Sequence, residues 1–540
     1  MEKFFLRSVQ IILHGFLKVS WITIQFLFSI IFNFLGGLTI FFFGFSKIRS
    51  TNIQILGPGE MLKPNSRFNE LFDYSQTATK KEMGGLTATG NVQNGCFWVG
   101  KYVGLRGNRA SAINDVWISN HFLTQHVLIV GPPGSGKTEL LLRSAQSLIS
   151  SGNLIWIDAA GSMIDRLAPL ARQAGAKIGC WDLSCTKNRV VWNFLEELER
   201  FGKELEIRAI AEAIYGKVNE SDPNAGFWKR DIIWLTALLG VVTEARKIGV
   251  PFDPSDLPSL ITDRDKMRDL LSNLPNASQQ WGTDLYSYFS LPDDRFALDV
   301  GFLYSKLSRF KEPDTKAICD GKSTIQLLSA LNGKNRHMLV IGQSLKHGEF
   351  GSALAGVMLN YIMNIIYKRS ANRNHNWNPI YLICDEAPRL KNVDFEEITA
   401  IGRQYKASVF LICQSIDQFP EKTLPTLNNC RTQIFLQNVS QKTADFLGKP
   451  LGEYQRSVVT SGITKGSQHE GIFSNPFSNS NNRGGSTNQG WERVPVLGMR
   501  EITGRPYSVL PSDRSALVRV TAASSNLSVT KKVFMTDYST

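Results

Sequence analysis

The chain lacks the usual marks of a metal site or a disulfide framework. Its seven cysteines, Cys96, Cys180, Cys185, Cys319, Cys384, Cys413 and Cys430, include no C-x-x-C pair and no neighbouring histidine spacing that would complete a zinc centre. They read as reduced core thiols of a cytosolic compartment. None of the seven histidines begins H-E-x-x-H, which excludes a zinc-dependent membrane protease of that type. Charge is missing altogether from Val19 to Phe45. As a helix that stretch is about 40 Å long, more than the ~30 Å hydrocarbon core of a bilayer. It exceeds the apolar region of a signal peptide and ends in no small-residue cleavage site. A membrane anchor is therefore expected over residues 1–48, an interfacial helix followed by at least one transmembrane helix. A two-span hairpin stays open, although Lys18 would then sit near mid-bilayer. Aliphatic residues are almost missing from Ser461 to Gly490, so a mobile surface loop is expected there.

What is present describes a folded protein. Hydrophobic residues at 43% and charged residues at 20% exclude wholesale disorder and a polytopic membrane protein. A length of 540 residues calls for about three or four structural units. The net charge of +13 fits partners with phosphate groups, a nucleic acid or anionic lipid, but serves solubility equally well.

Continuous apolar runs of strand length occur at His126–Val130, Leu154–Ile157, His337–Ile341, Ile380–Cys384, Ser408–Cys413 and Gln433–Leu436. Runs apolar on both faces suit a parallel sheet covered by helices on each side. The polar, Gly-rich segment 49–120 reads as a lead-in to this domain, whose first part is 121–198 and second part 333–540. Between them, 199–332 carries apolar residues at helical spacing, such as Ile207, Ile210 and Ile214, and is expected to be an inserted all-α domain.

Gly131 to Thr138 reads G-P-P-G-S-G-K-T, a match to G-x-x-x-x-G-K-[ST] placed between an apolar run and an amphipathic helix. Glycines let successive amides converge on phosphate oxygens, lysine reaches the terminal phosphates, and the threonine hydroxyl suits magnesium. Gly131, Pro132, Pro133, Gly134, Ser135, Gly136, Lys137, Thr138 and the following Glu139 are the candidate ATP-binding residues. Pro379 to Glu386 reads P-I-Y-L-I-C-D-E, an apolar strand ending in two carboxylates. Asp385 suits the magnesium shell beside Thr138, and Glu386 suits the polarisation of an attacking water. Gln414 ends the run that starts at Ser408; it either senses the terminal phosphate or simply caps a strand. Arg403 follows Gly402 in a short helix-like segment; it is either an ordinary surface arginine or a finger reaching a neighbouring subunit's nucleotide.

In this order the motifs resemble those of the type IV coupling proteins, the ATPases of conjugation and type IV secretion. The resemblance rests on G-P-P-G-S-G-K-T, W-N-F at Trp192–Phe194, F-W-K-R-D at Phe227–Asp231, and D-E-A-P-R-L at Asp385–Leu390. It continues through I-G-R at Ile401–Arg403, C-Q-S at Cys413–Ser415 and T-A-D-F-L-G at Thr443–Gly448. It implies an α/β, RecA-like P-loop NTPase with a mainly parallel sheet, an inserted all-α subdomain and an N-terminal transmembrane anchor. It further implies a homo-hexamer at the bacterial inner membrane, with ATP and Mg2+ as cofactors and DNA carried with a relaxase or accessory proteins to a secretion channel. Gln414 would sense, and Arg403 would act in trans. Two features depart from the family: there is no room for a sizeable periplasmic loop, and Asp158–Ser162 reads D-A-A-G-S where D-P-K-G-E is common. A septal DNA translocase and an ATP-binding receptor without motor activity remain as alternatives.

Overall fold

The computed structural model describes residues 94–103, 115–215, 223–343, 347–372, 375–390, 393, 395–451, 453–465, 483–495, 502, 515–521 and 533–537. The anchor expected at 1–48 and most of the lead-in lie outside them. Strands β1 (Phe97–Val103), β2 (Asp115–Ile118), β3 (Val127–Val130), β4 (Asn153–Asp158), β5 (Lys177–Trp181), β6 (His337–Gly342), β7 (Ile380–Cys384), β8 (Ala407–Cys413) and β9 (Thr432–Phe435) enter one sheet. So do β12 (Ser515–Val520) and β13 (Val533–Asp537), and the spatial order is β2-β1-β13-β12-β9-β3-β8-β7-β4-β6-β5. From β9 to β5 every pair is parallel, and the flank from β2 to β9 is antiparallel.

The parallel strands are apolar throughout because both faces are covered. In β3, Leu128 and Val130 face one core while Val127 and Ile129 face the other, as a period of two requires. The second core is closed by α1 (Lys137–Ser151) and α2 (Met163–Gln173), through Leu141, Leu148 and Leu167. The first core runs without a break into the inserted helices, including α3 (Phe194–Phe201), α4 (Glu204–Tyr215), α5 (Ala225–Lys247), α6 (Asp293–Leu307) and α7 (Leu327–Asn332). After β6 it takes in α8 (Gly348–Lys368). Among the described residues the helix long and apolar enough to cross a membrane is the segment Phe350–Ala371, and it is mostly buried in this core.

Several elements differ from the expectation. Helices begin at Phe194 rather than at 199. The strand β5, K-I-G-C-W, sits at the sheet edge where Lys177 is exposed, so its apolar run is too short to register in sequence. Parts of the lead-in, 97–103 and 115–118, are strands of the same sheet. Within the stretch expected to be a mobile loop, 461–465 and 483–490 belong to β10 (Glu453–Lys465) and β11 (Arg483–Pro495), which pair with each other in a separate two-stranded sheet. Backbone pairing satisfies the amides of a hairpin whatever its side chains. Residues 466–482 of that loop lie outside the described residues.

The W-N-F segment starts the insertion and also ties its end. The Asn193 side chain accepts from the amides of Leu195 and Glu196, capping α3, and donates to Asp253 Oδ1 at 2.7 Å and to the Gly321 carbonyl at 3.0 Å. The buried Glu197 carboxylate accepts from Trp192 Nε1 and from the amides of Leu327 and Leu328, the first turn of α7. Asn193→Ala removes the cap and the bonds to Asp253 and to the Gly321 carbonyl, and it should cost about 2 kcal/mol. Urea unfolding read by tryptophan fluorescence checks this; an unchanged midpoint would remove Asn193 from the hinge of the insertion.

Candidate functional site

Three neighbouring strands assemble the site. Because β3, β8 and β7 are adjacent and parallel, the loop after β3, the residue after β8 and the acid pair after β7 emerge on one edge of the sheet. Neighbouring strands lie about 4.8 Å apart, so the outer two are separated by about 10 Å.

The loop takes its shape from its glycines. Gly134 and Gly136 have φ of 75° and 88°, a left-handed backbone that side chains disfavour. Gly136 is the N-cap of the 15-residue α1, whose first amides have no intrahelical acceptor and point at the loop. A Cβ on Gly131 would stand 2.7 Å from Ser135 Oγ and 2.8 Å from Leu436 Cβ, so the loop closes on itself there. Lys137 is buried and donates to the carbonyls of Gly131 at 2.6 Å and Pro132 at 3.2 Å, bracing the loop around the space it encloses. Burial lowers its pKa, while Glu386 and then Asp385 favour its charged form. Thr138 follows it in the first turn of α1. Glu139 points elsewhere, pairing with Arg166 of α2 at 2.8 Å.

The acid pair is held in an uncomfortable state. Glu386 has φ 53° and ψ 48°, left-handed for a residue with a Cβ. Its Oε1 accepts from Gln414 Nε2 at 2.8 Å, whereas its Oε2 is buried without a partner. The Asp385 carboxyl is pushed up to about 6 by burial and by Glu386, against the pull of the Lys137 ammonium. Strain, an orphaned carboxylate oxygen and a raised carboxyl pKa in one place fit a site that takes a cation. The donors, a hydroxyl and two carboxylates, are the hard oxygen ligands magnesium prefers. Among the described residues no cluster of three or more His, Cys, Asp or Glu side chains could hold a metal. Magnesium would accordingly arrive with phosphate oxygens completing its shell.

The structure thus brings Lys137, Asp385, Glu386 and Gln414 together, and it does not bring Arg403 to them. Arg403 is exposed in the 3-10 turn Gly402–Tyr405 that enters β8, so it lies at the opposite edge, the length of a seven-residue strand away from Gln414. Two buried groups on the site edge escaped the sequence. Asp158, ending β4, accepts from the amides of Ala160 and Met163 and adds to the upward push on Asp385. Gln343, after β6, donates to Ser352 Oγ at 3.2 Å and leaves its Oε1 without a partner. Only the rule that polar residues at strand ends gather on one edge could have found them. A cavity of about 260 Å³ opens further along that edge, lined by Asp158, Asp165, Asp182, Ser184 and Lys187 among others. It contains none of the phosphate-loop residues.

Residues 379–506 match the family model described as the TraM recognition site of TraD and TraG. Among solved structures, the plasmid coupling protein TrwB in complex with ADP and Mg2+ is similar at 16% identity and a TM-score of 0.57, covering 86% of this chain and 92% of that one. TrwB in complex with a non-hydrolysable ATP analogue is similar at 16% identity and a TM-score of 0.56, over 90% and 96% of the two chains. The unbound form of the bacterial conjugative coupling protein gives 16% identity and 0.56, over 86% and 92%. No curated protein matches by sequence. The shared fold and the matched segment agree with the resemblance to type IV coupling proteins.

The state of Asp385 has a thermodynamic signature. Its folded pKa of about 6 lies above the ordinary value of 3.8, so its ionisation weakens the nucleotide-free fold. The penalty is absent below about 3.8, grows between the two values and is complete above about 6. Asp385→Asn should therefore raise the melting temperature of nucleotide-free protein at pH 7.5, with the gain shrinking towards pH 4. The same variant should lose the extra stabilisation that Mg2+ with ATP gives. Calorimetry across that pH range checks both, and a variant less stable than the parent at pH 7.5 would contradict the charge state assigned here.

Proposed function

We propose that this chain, which shares its fold and its 379–506 segment with type IV coupling proteins, is an ATP-driven coupling protein of conjugation or type IV secretion. One observation carries the reading. The loop, the acid pair and Gln414 converge on one edge of the sheet, while Arg403 stands exposed on the other. A site complete except for a cation to stabilise the transferring phosphoryl group fits a ring, in which each subunit's Arg403 serves its neighbour's nucleotide. On this reading Gly131 to Thr138 cradle the phosphates of ATP, and Thr138 and Asp385 would hold Mg2+, which would supply positive charge beside the phosphoryl oxygens. Glu386 orients the attacking water through its orphaned oxygen. Gln414, bonded to the other oxygen of Glu386, reports whether the terminal phosphate is present.

The assembly proposed is a homo-hexamer held at the bacterial inner membrane through residues 1–48, with the ATPase domain in the cytoplasm. Its cargo is DNA, escorted by a relaxase or accessory proteins, passed to a secretion channel; the +13 net charge favours a phosphate polymer. The inserted helices supply a receiving surface. On α6, Leu298 and Phe302 stand one turn apart and are 80% and 53% exposed. Asp299, next to Leu298, pairs with Arg230 of α5, and that guanidinium lies over Phe227, itself 55% exposed. An apolar patch joined across two helices is a docking face rather than scattered surface.

Three outcomes test the proposal. Lys137→Ala should lower ATP turnover at least about a hundredfold, and single- or double-stranded DNA should stimulate the parent protein in a salt-dependent way. Turnover undiminished in that variant would remove the phosphate-loop role, and a flat response to DNA would leave protein as the cargo. Leu298→Glu with Phe302→Glu should abolish cargo transfer in a mating assay while basal ATPase stays within twofold of the parent. Normal transfer would move the receiving surface elsewhere.

A further inference from the structure

Arg369, immediately after α8, is almost wholly buried and has no carboxylate partner among the described residues. Its guanidinium instead donates to four neutral acceptors: Asn332 Oδ1 at 3.0 Å, the Leu331 carbonyl at 2.9 Å, the Asn378 carbonyl at 3.1 Å and the Tyr405 carbonyl at 3.0 Å. It also lies over the Trp377 ring, 5.3 Å from its centroid. Burying a cation without a counter-ion is costly, and an apolar residue would fill the space without that cost. What the arginine adds is the connection. Leu331 and Asn332 end the last inserted helix, α7; Asn378 leads into β7, which ends at Asp385; Tyr405 belongs to the turn that presents Arg403.

That turn is gripped from its other sides as well. A Cβ on Gly402 would lie 3.1 Å from Cε1 of His126, the residue entering β3, and His126 Nδ1 accepts from the Val409 amide of β8. Lys406 closes the turn with a left-handed φ of 56°, and its Nζ donates to Asn376 Oδ1 at 2.6 Å. The Arg403 backbone is therefore fixed to the entries of the phosphate-loop strand and the acid-pair strand, and to the exit of the helical insertion. The Arg369 fork touches all three of the insertion, the β7 entry and the turn.

We propose that Arg369 is a positioning residue for the trans-acting arginine, holding the Arg403 turn in reach of the neighbouring subunit and transmitting to it displacements of the inserted helices. Cargo seated on those helices thereby sets how closely Arg403 approaches the neighbour's nucleotide. The inference rests on the trans role given to Arg403 above. A lysine at 369 keeps the charge but cannot span the four acceptors with a planar fork.

The test mixes variants of the full-length chain. Lys137→Ala subunits cannot turn over ATP but carry an intact Arg403. Arg369→Lys should lower kcat at least tenfold while binding a fluorescent ATP analogue within twofold of the parent. Mixed with Lys137→Ala subunits it should regain turnover, as Arg403→Ala does; mixed with Arg403→Ala subunits it should not. Recovery in the last mixture, or a loss of nucleotide affinity matching the loss of kcat, overturns the inference. Should Arg403→Ala alone leave turnover intact, the trans reading itself fails, and this inference with it; a defective Arg403→Ala beside a normal Arg369→Lys sinks the inference alone. Asn332→Ala, which cuts one of the two bonds to the insertion, leaves the one to the Leu331 carbonyl and is milder on folding, should keep basal turnover and reduce DNA stimulation at least threefold. Full stimulation in that variant overturns the transmission.

Discussion

Parallel pairing of β8 with both β3 and β7 is the constraint on which the molecule depends. Strands that run the same way end on the same edge, so one intervening strand fixes the distance between the phosphate loop and the acid pair. The register ties Val130 to Cys413 and Cys384 to Leu411. A slip of one residue would turn every side chain of β8 to the other face and carry Gln414 away from Glu386. The sheet can hold that register because all seven residues of β8 are buried, with cores on both faces. Antiparallel pairing anywhere among these three strands would send the loop and the acids to opposite ends.

Opposed to this stable frame is a site that gains nothing from its own geometry. A left-handed glutamate, a carboxylate oxygen with no partner and an aspartate forced towards neutrality all lie within the reach of Lys137. Each weakens the fold, and the two carboxylate penalties would be relieved by a divalent cation with phosphate. The surrounding strands over-determine their positions, so the tension is stored rather than released. Gln414 is bonded to one oxygen of Glu386, and the other oxygen of that carboxylate has no partner.

The helical insertion is coupled to the sheet by polar side chains as well as by the continuous core. At its start Asn193 and Glu197 join residues 253, 321 and 327 across gaps of 60, 128 and 130 residues in sequence. At its end Arg369 holds Leu331 and Asn332 against the amino edge of β7 and β8. Buried polar networks of this kind contribute uniqueness of arrangement more than net stability. They attach the insertion at two points, and its helix α6 bears the exposed Leu298 and Phe302.

The glycine pattern of 131–136, the apolar run of β7 with its two carboxylates, and the helical spacing of Ile207, Ile210 and Ile214 were legible in order along the chain, because each is a local rule of backbone sterics or periodicity. So was the parallel class of the sheet, since only strands covered on both faces are apolar throughout. Edge strands such as β5, and the strand halves of the 461–490 stretch, were not legible, because backbone pairing there asks little of the side chains. Which strands are neighbours, that Arg403 stands on the far edge from Gln414, and that Arg369, Asn332 and Tyr405 meet were decided only by tertiary structure. Those facts depend on contacts between segments remote in sequence, and no local spacing encodes them.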